Sequence, residues 1–303
     1  MKKLKVMAGI ICVVSLAGGC FYYTKIQEQR DQEPPVLSAD AEVFSAKVAA
    51  DDQKLISGVT AYDQVDGDVS DSILIDNITK KEGTDSDFLI TYVAFDKSSN
   101  MASLTRTLHY SDFRQAHFSF TQPLRFPENQ TVDLLSYFTA DDCIDGDVTS
   151  FITLEGEKGL LEDEPKKGIY EYTLSVTDSV GYTTTLPIEV EIYEDTYDER
   201  IQKPQLYLNQ YIVYINKGET LDVNEYLDHI EENGTKYIDS EASQNEDSEE
   251  DGSQTKQDDI PISDIEITSN VDTEKEGVYR VSYRYTSKEA GYDCNASLIV
   301  VVE

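Results

Sequence analysis

Residues 58–70 read Gly58-Val59-Thr60-Ala61-Tyr62-Asp63-Gln64-Val65-Asp66-Gly67-Asp68-Val69-Ser70. From Asp63 onward the stretch recurs as Asp142-Cys143-Ile144-Asp145-Gly146-Asp147-Val148-Thr149, displaced by 142 − 63 = 79 residues. Each copy leads into an alternating run that ends in aspartate. The first run carries Phe88, Ile90, Tyr92 and Ala94 before Asp96, and the second Tyr170, Tyr172, Leu174 and Val176 before Asp178. A third copy lacks the Asp-rich stretch but keeps the run. There Gly277-Val278-Tyr279 echoes Gly168-Ile169-Tyr170, and Val281, Tyr283 and Tyr285 continue it. Upstream, Thr220-Leu221-Asp222 before Tyr226-Leu227 parallels Thr131-Val132-Asp133 before Tyr137-Phe138. Self-similarity at a fixed period is the signature of tandem repeats.

Alternation at period two in Tyr, Val, Ile and Thr gives strands with one buried and one wet face. Ile188, Val190 and Ile192 point one way and Glu189 and Glu191 the other, while Arg280, Ser282 and Arg284 take outward positions in the last repeat. Outside the N-terminus the helical period is never sustained; the segments around Leu134–Phe138 and Asn224–Ile230 suit one short helix each. The fold class expected is all-β: three tandem Ig-like antiparallel β-sandwiches behind an N-terminal transmembrane helix. Composition sets the boundaries at 1–26 for a cytoplasmic tip and anchor, 27–34 for a polar stalk, 35–111, 116–193 and 204–303 for the three units. The junctions are short, which predicts an elongated rod with modest bending. Residues Glu231–Asp259 interrupt the third unit with 11 acidic residues and two lysines, a net 2 − 11 = −9, and their composition predicts a disordered insertion.

The chain has 303 residues, 25 Lys+Arg and 59 Asp+Glu, a net 25 − 59 = −34, with 20 Tyr and no Trp. That charge excludes nucleic acid as a partner, since phosphates need a basic stripe. The tyrosines supply the apolar area that acidic disordered chains lack. At the N-terminus Lys2, Lys3 and Lys5 precede an uncharged run from Val6 to Tyr23. Eighteen residues of helix span about 27 Å, near the ~30 Å hydrocarbon core. The reading is a single-pass cell-membrane anchor with its N-terminus in the cytoplasm and the remainder extracellular, so that the membrane is itself a partner through this helix. The alternative is a lipoprotein, because Leu16-Ala17-Gly18-Gly19-Cys20 resembles a lipobox with Cys20 as the acylated residue. A cleaved signal peptide lacks its small-residue cleavage site. Cys143 and Cys294 fall in different units and read as partly buried thiols.

The pattern of residues 58–70, followed by an alternating strand, an aspartate at Asp96 and a closing strand to Tyr110, resembles the bacterial Ig-like repeat family DUF5011. The resemblance covers the first two units and the second half of the third. It implies Ig-like or fibronectin-like sandwiches that serve surface proteins as spacers or adhesive modules.

Two readings of the aspartates stand side by side. Asp-Gly turns satisfy backbone donors and use the left-handed conformation of glycine. Carboxylates gathered at one end of a sandwich are also the oxygen ligands that Ca²⁺ needs, six to eight in number. The sets are Asp63, Asp66, Asp68 and Asp96 in the first unit and Asp142, Asp145, Asp147 and Asp178 in the second. No cofactor other than Ca²⁺ is suggested. His109, His117 and His229 are scattered, and no phosphate loop or nucleophile elbow is present, so no catalytic residue is assigned and the chain reads as non-enzymatic. The function expected is that of a membrane-anchored surface protein whose repeats act as a stalk or adhesion module for an extracellular protein or glycan. The alternative is an accessory scaffold subunit of an envelope or polysaccharide-export assembly.

Overall fold

Among the residues that alternate, the inward members are buried almost without exception: Phe88, Ile90, Tyr92 and Ala94 each have 0% of their surface exposed. The computed structural model describes residues 14–22, 31–84, 86–128, 130–156, 166–233, 235–238, 260, 262–288 and 291–303. Twenty-one strands are found among them, and their sheets repeat one plan.

In the first repeat the strands are β1 (Val36–Ala39), β2 (Val43–Ala46), β3 (Val59–Asp63), β4 (Gly67–Asp68), β5 (Leu74–Lys80), β6 (Asp87–Phe95) and β7 (Met101–Tyr110). They form a three-stranded sheet β1-β3-β4 and a four-stranded sheet β2-β7-β6-β5. The first two strands are divided between the sheets; β1 pairs antiparallel with β3, while β2 pairs parallel with β7. In the second repeat the strands are β8 (His117–Ser119), β9 (Arg125–Pro127), β10 (Thr139–Asp142), β11 (Gly146–Asp147), β12 (Thr153–Gly156), β13 (Gly168–Thr177) and β14 (Thr183–Tyr193). In the third they are β15 (Gln205–Leu208), β16 (Ile212–Ile215), β17 (Leu227–Glu232), β18 (Thr235–Ile238), β19 (Ile265–Ser269), β20 (Gly277–Thr286) and β21 (Asp293–Val302). Sheet orders β11-β10-β8 with β12-β13-β14-β9, and β15-β17-β18 with β16-β21-β20-β19, restate the first plan. The chain divides into two compact units, Met1–Phe113 and Arg114–Glu303.

A short helical turn covers one end of each repeat's core. In the first repeat it is the helix α1 (Asp52–Ile56), N-capped by the Asp51 side chain on the Lys54 N–H. The spacing of apolar residues gives no hint of it. The others are 3-10 turns at Leu134–Tyr137 and Val223–Tyr226. The second of these ends where β17 begins, so the helix expected over Asn224–Ile230 is mostly strand. Corresponding tyrosines fasten the turns: the Tyr92 hydroxyl donates to Leu55 O at 2.7 Å, and the Tyr283 hydroxyl to Val223 O at 2.6 Å. The second repeat has Leu174 at that position, fully buried.

Glycine serves the same alternation in one special way. Gly168 and Gly277 open β13 and β20, and the rings of Tyr170 and Tyr279 lie over them, 3.5–3.6 Å from where a Cβ would stand. Each ring's hydroxyl then reaches back four residues, to Lys166 O and Lys275 O, at 2.8 Å. The Gly-x-Tyr echo in the sequence is a packing device.

Two expectations are corrected here. Residues 14–22 are helical, nine residues or about 14 Å. Among the described residues no helix is long and apolar enough to cross a membrane, so the single-pass anchor, and the placement on either side of a membrane built on it, is not supported. Residues 1–13 and 23–30, which carry the rest of the apolar run and most of the stalk, lie outside the described residues. Second, the insertion expected from Glu231 begins as ordered structure. Glu231 and Glu232 end β17, Asn233 turns with φ 51°, and Thr235–Ile238 returns as β18 in register with His229–Glu232. An Asn-Gly pair is a strong hairpin signal, and it stands where the other repeats have Asp-Gly. Residues 239–259 lie outside the described residues.

The first repeat buries one arginine. Arg106 on β7 has 3% of its surface exposed. Its Nε donates to the Tyr92 hydroxyl at 2.9 Å and its Nη2 to Leu55 O and Ser57 O at 3.0 and 2.8 Å. Its guanidinium lies 3.7 Å from the centre of the Phe44 ring, and Nη1 is 3.5 Å from Asp40 Oδ1. One planar fork therefore ties α1, β2 and β6 together. Arg106→Lys and Arg106→Ala are both expected to destabilise the first unit by about 2–4 kcal/mol, because neither can satisfy the carbonyls the fork serves. Guanidinium melts of the full chain measure this, and a lysine variant that melts like the parent would contradict it.

Candidate functional site: a carboxylate cluster at the strand ends

The aspartates, the glycine and the terminal hydroxyl of the repeated stretch each have an identifiable task. Asp63 Oδ1 accepts the backbone N–H groups of Val65 and Asp66, both at 2.8 Å. Asp142 does the same for Ile144 and Asp145, at 2.8 and 2.9 Å. Gly67 and Gly146 take φ 78° and 72°, which closes the hairpin. Asp68 Oδ1 accepts the Ser70 N–H, and Asp147 Oδ1 the Thr149 N–H, at 3.0 Å each. The Ser70 hydroxyl oxygen accepts the Ala61 N–H, and that of Thr149 the Ala140 N–H, again at 3.0 Å. The hydroxyl at the end of the stretch is therefore required by the backbone beside it.

The turn is joined to the loop after the alternating strand by its middle acid. Asp66 Oδ2 accepts the Lys97 N–H at 2.8 Å. Asp145 accepts both the N–H and the hydroxyl of Ser179, at 2.6 and 2.7 Å. The acid that ends the run holds the other side of that loop: Asp96 Oδ1 accepts the Asn100 N–H at 2.7 Å, and Asp178 Oδ1 the Tyr182 N–H at 2.7 Å and the Val180 N–H at 3.1 Å.

The eight aspartates thus separate into groups. Asp63 and Asp96 come together, buried to 1% and 7% exposure, and Asp31 joins them. One oxygen of each lies within 4.8 Å of the others. Asp66 lies next to this group through Lys97, while Asp68 is turned to Ser70 and takes no part. In the second repeat Asp142, Asp145 and Asp178 are near enough to act on one another electrostatically, but no such three-oxygen group forms there among the described residues, and Asp147 is turned to Thr149. The sequence reading missed Asp31, which belonged to the expected stalk, and Asn100. The Asn100 Nδ2 donates to Asp96 Oδ2, to Asp31 O at 3.1 Å and to Glu33 O at 3.3 Å, pinning residues 31–33 to the cluster. Asp31 Oδ1 accepts the Glu33 N–H, and Asp31 Oδ2 is buried with no partner.

The third repeat shows what the position requires. Glu232 ends β17 as Asp63 ends β3, and it is equally buried, at 6% exposure. Facing it, where the others have Asp96 and Asp178, stands Ser287, whose hydroxyl donates to Glu232 Oε1 in a short hydrogen bond. A hydroxyl there removes the second charge.

Electrostatics follow these partners. The Asp66 N–H, with that of Val65, holds the Asp63 carboxyl below its ordinary value against the opposing effect of burial. The Ser70 hydroxyl and N–H lower Asp68, and those of Thr149 lower Asp147. Asp178 goes the other way. Burial raises it first, and the charges of Asp142 and Asp145 add to this, against the Tyr182 and Val180 N–H groups. Its Oδ2 is buried without a partner. The remaining candidate, Cys20, is exposed in the helix of residues 14–22. Cys143 and Cys294 are free thiols, and burial pushes Cys294 up to about 12.

No family model and no curated protein matches the chain. Among solved structures, the chain is similar to a carbohydrate-binding CBM51-2 and INT segment of Clostridium perfringens ZmpB (13% identity, TM-score 0.21, covering 50% of this chain and 26% of that one). It is also similar to extracellular repeats 1–4 of Drosophila N-cadherin (14%, TM-score 0.23, covering 90% and 76%) and to repeats 21–23 of human CDH23 (12%, TM-score 0.20, covering 89% and 100%). The chain spans about a quarter of the first of these.

The lowered acids lend stability that is present above the ordinary carboxylate value of 3.8 and is lost as pH falls below it. Asp178, being raised, is favourable when protonated and loses that contribution as pH rises through its folded value above 3.8. Asp178→Asn keeps an oxygen for the Tyr182 N–H and removes the charge. In EDTA at pH 7 it is expected to raise the melting temperature of the second unit by about 2–4 °C, equivalent to ~1 kcal/mol, with the gain vanishing below pH 4. A scanning calorimetry series over pH reads this, and a lowered melt at pH 7 would contradict it.

Proposed function

We propose that the chain is a non-enzymatic surface binding module, a stalk or adhesion element built from Ig-like sandwiches. Its strand-end carboxylates hold loops in place instead of reacting. The observation that carries this reading is the one apolar core shared by the second and third repeats, which includes Phe118, Phe138, Leu186 and Ile188 of one and Tyr211, Tyr283, Leu298 and Val300 of the other. Phe120 stacks on Tyr211 at 5.9 Å, and the Phe118 N–H donates to the Tyr214 hydroxyl at 2.7 Å. A joint of this kind supports a rigid presenting body, which suits a binder better than a catalyst that must open and close.

Calcium completes the proposal in the first repeat. Asp31, Asp63 and Asp96 supply hard oxygen ligands with one buried oxygen unsatisfied, and among the described residues none of the three forms an ion pair with a basic side chain. Ca²⁺ there neutralises three converging carboxylates and ties residue 31 to two loops. At a hundredfold excess over its dissociation constant the ion adds about 2.7 kcal/mol, a rise of roughly 10 °C in the first unit's melting temperature. Calorimetry of the full chain in EDTA and in excess CaCl₂ tests this, with Asp96→Asn expected to abolish the difference. An identical melt in both buffers would remove calcium from the reading. The binding role is tested by adhesion of the purified full chain to intact cells and immobilised glycans. Retention in a membrane assembly with no such binding would overturn it in favour of a scaffold subunit.

A further inference from the structure

The outward face of the β20–β21 hairpin is not simply wet. Ile299 lies on it, opposite Arg280 in register, yet has only 6% of its surface exposed, because the second repeat stands over it. Beside Ile299 the two repeats part to leave a cleft of about 440 Å³. Phe120, Leu124, Tyr211 and Ile299 make its floor. The walls carry charge in matched pairs. Arg280 of the third repeat pairs with Glu189 of the second, and Arg125 Nε reaches Glu191 Oε2 at 3.2 Å. Two strand neighbours add neutral polar groups: Asn295, which is exposed, and Ser297, whose Oγ is buried with no hydrogen-bond partner.

We infer that this cleft binds a neutral, polyhydroxylated ligand, one or two rings of a saccharide. The chemistry of its walls selects that class. The two arginines and two glutamates of the walls cancel, so a strongly charged ligand gains nothing from entering and must disrupt a pair to do so. Each guanidinium keeps further N–H donors and each carboxylate a further oxygen, so donors and acceptors alternate around the rim. Vicinal hydroxyls, each able to donate and accept, match that alternation. The apolar floor suits the C–H face of a sugar ring, and the volume falls within the range of small-ligand sites. The Ser297 hydroxyl is the most specific feature. A buried polar group without a partner is costly and uncommon in folded proteins, and a rotation about χ1 that turns the Ser297 hydroxyl into the cleft lets a ligand hydroxyl satisfy it. The inference rests on the binding-module reading and gives that module a site.

The test uses the full chain on an array of neutral and anionic oligosaccharides, followed by titration calorimetry with the strongest binder. Two variants locate the site. Ser297→Ala removes an oxygen that holds nothing in the protein, so the melting temperature should not fall, while affinity for the neutral sugar should drop about tenfold. Ser282→Trp, whose side chain points into the cleft from β20, should fill it and abolish binding with the fold retained. Undiminished sugar binding in both variants would overturn the cleft but leave the binding module standing. Selective capture of anionic sugars would overturn the ligand class. Binding to cells with no sugar bound, or to an apolar peptide that Ser282→Trp blocks, would overturn the saccharide and keep the module. No binding to sugars or cells would overturn both.

Discussion

In all three repeats an acid ends the second strand of the three-stranded sheet with its side chain inside the protein: Asp63, Asp142 and Glu232, at 1%, 4% and 6% exposure. A buried carboxylate is tolerated only if its lone pairs are satisfied, and here the donors are backbone N–H groups of the adjoining turn or a hydroxyl from the facing loop. Much of the geometry at that end of a repeat follows from this. The turn must curl back over the acid, which demands Gly67 or Gly146 at positive φ, or Asn233 in the third repeat. The loop after the long alternating strand must meet it, and a second side chain must face the buried charge.

That facing side chain is where the repeats diverge, and each meets the same electrostatic difficulty differently. Ser287 donates a proton and adds no charge. Asp178 adds a charge, and burial beside Asp142 pushes its titration upward, so uptake of a proton relieves it. Asp96 adds a charge in a place where Asp31 brings a third. Two of these solutions use a proton, and the first repeat, with three carboxylate oxygens inside 4.8 Å, is the one for which a divalent cation is the economical answer. Similar sequence in the first two turns therefore does not imply identical chemistry: Tyr182 stands where the first repeat has Asn100, and among the described residues no third carboxylate joins Asp142 and Asp178 as Asp31 joins Asp63 and Asp96.

Strand content was legible from residues such as Phe88–Ala94 and Ile188–Ile192, whose alternation the sheets reproduce. The convergence of Asp63 with Asp96 was legible too, as two acids at the ends of strands that a sandwich brings to one end. Asp31 was not, since nothing in a polar Gln/Glu/Asp stretch marks the one acid that folds back. Helix α1 was hidden because five residues are too few to show a period; its sign was the Asp51 cap. The hairpin of β17 and β18 was masked by an acidic composition, although Asn233-Gly234 announces a turn. The N-terminal run was read from its length and lack of charge alone, and the part of it that is described, residues 14–22, is a helix too short to cross a membrane.

The outward face of β20–β21 shows a limit of binary patterning itself. Arg280, Ser282 and Arg284 alternate with buried Val281, Tyr283 and Tyr285, so the pattern assigns them to water. Patterning of one strand cannot know that a second repeat will cover part of that face. The covering repeat brings Glu189 and Glu191, which the same pattern also assigns to water; Glu189 meets Arg280 across the joint, while Glu191 is paired within its own sheet by Arg125 on the neighbouring strand β9. In the connecting segment Glu199 extends the network, 2.8 Å from Arg125, and Lys203 lies 3.2 Å from Glu199. In a chain with 59 acids and 25 bases, arginines are scarce, and two of them are spent at this joint. At the joint Arg280 of the third repeat neutralises Glu189 of the second, and Arg125 neutralises Glu191 beside it, so the charges bordering the apolar residues Phe120, Tyr211 and Ile299 are paired.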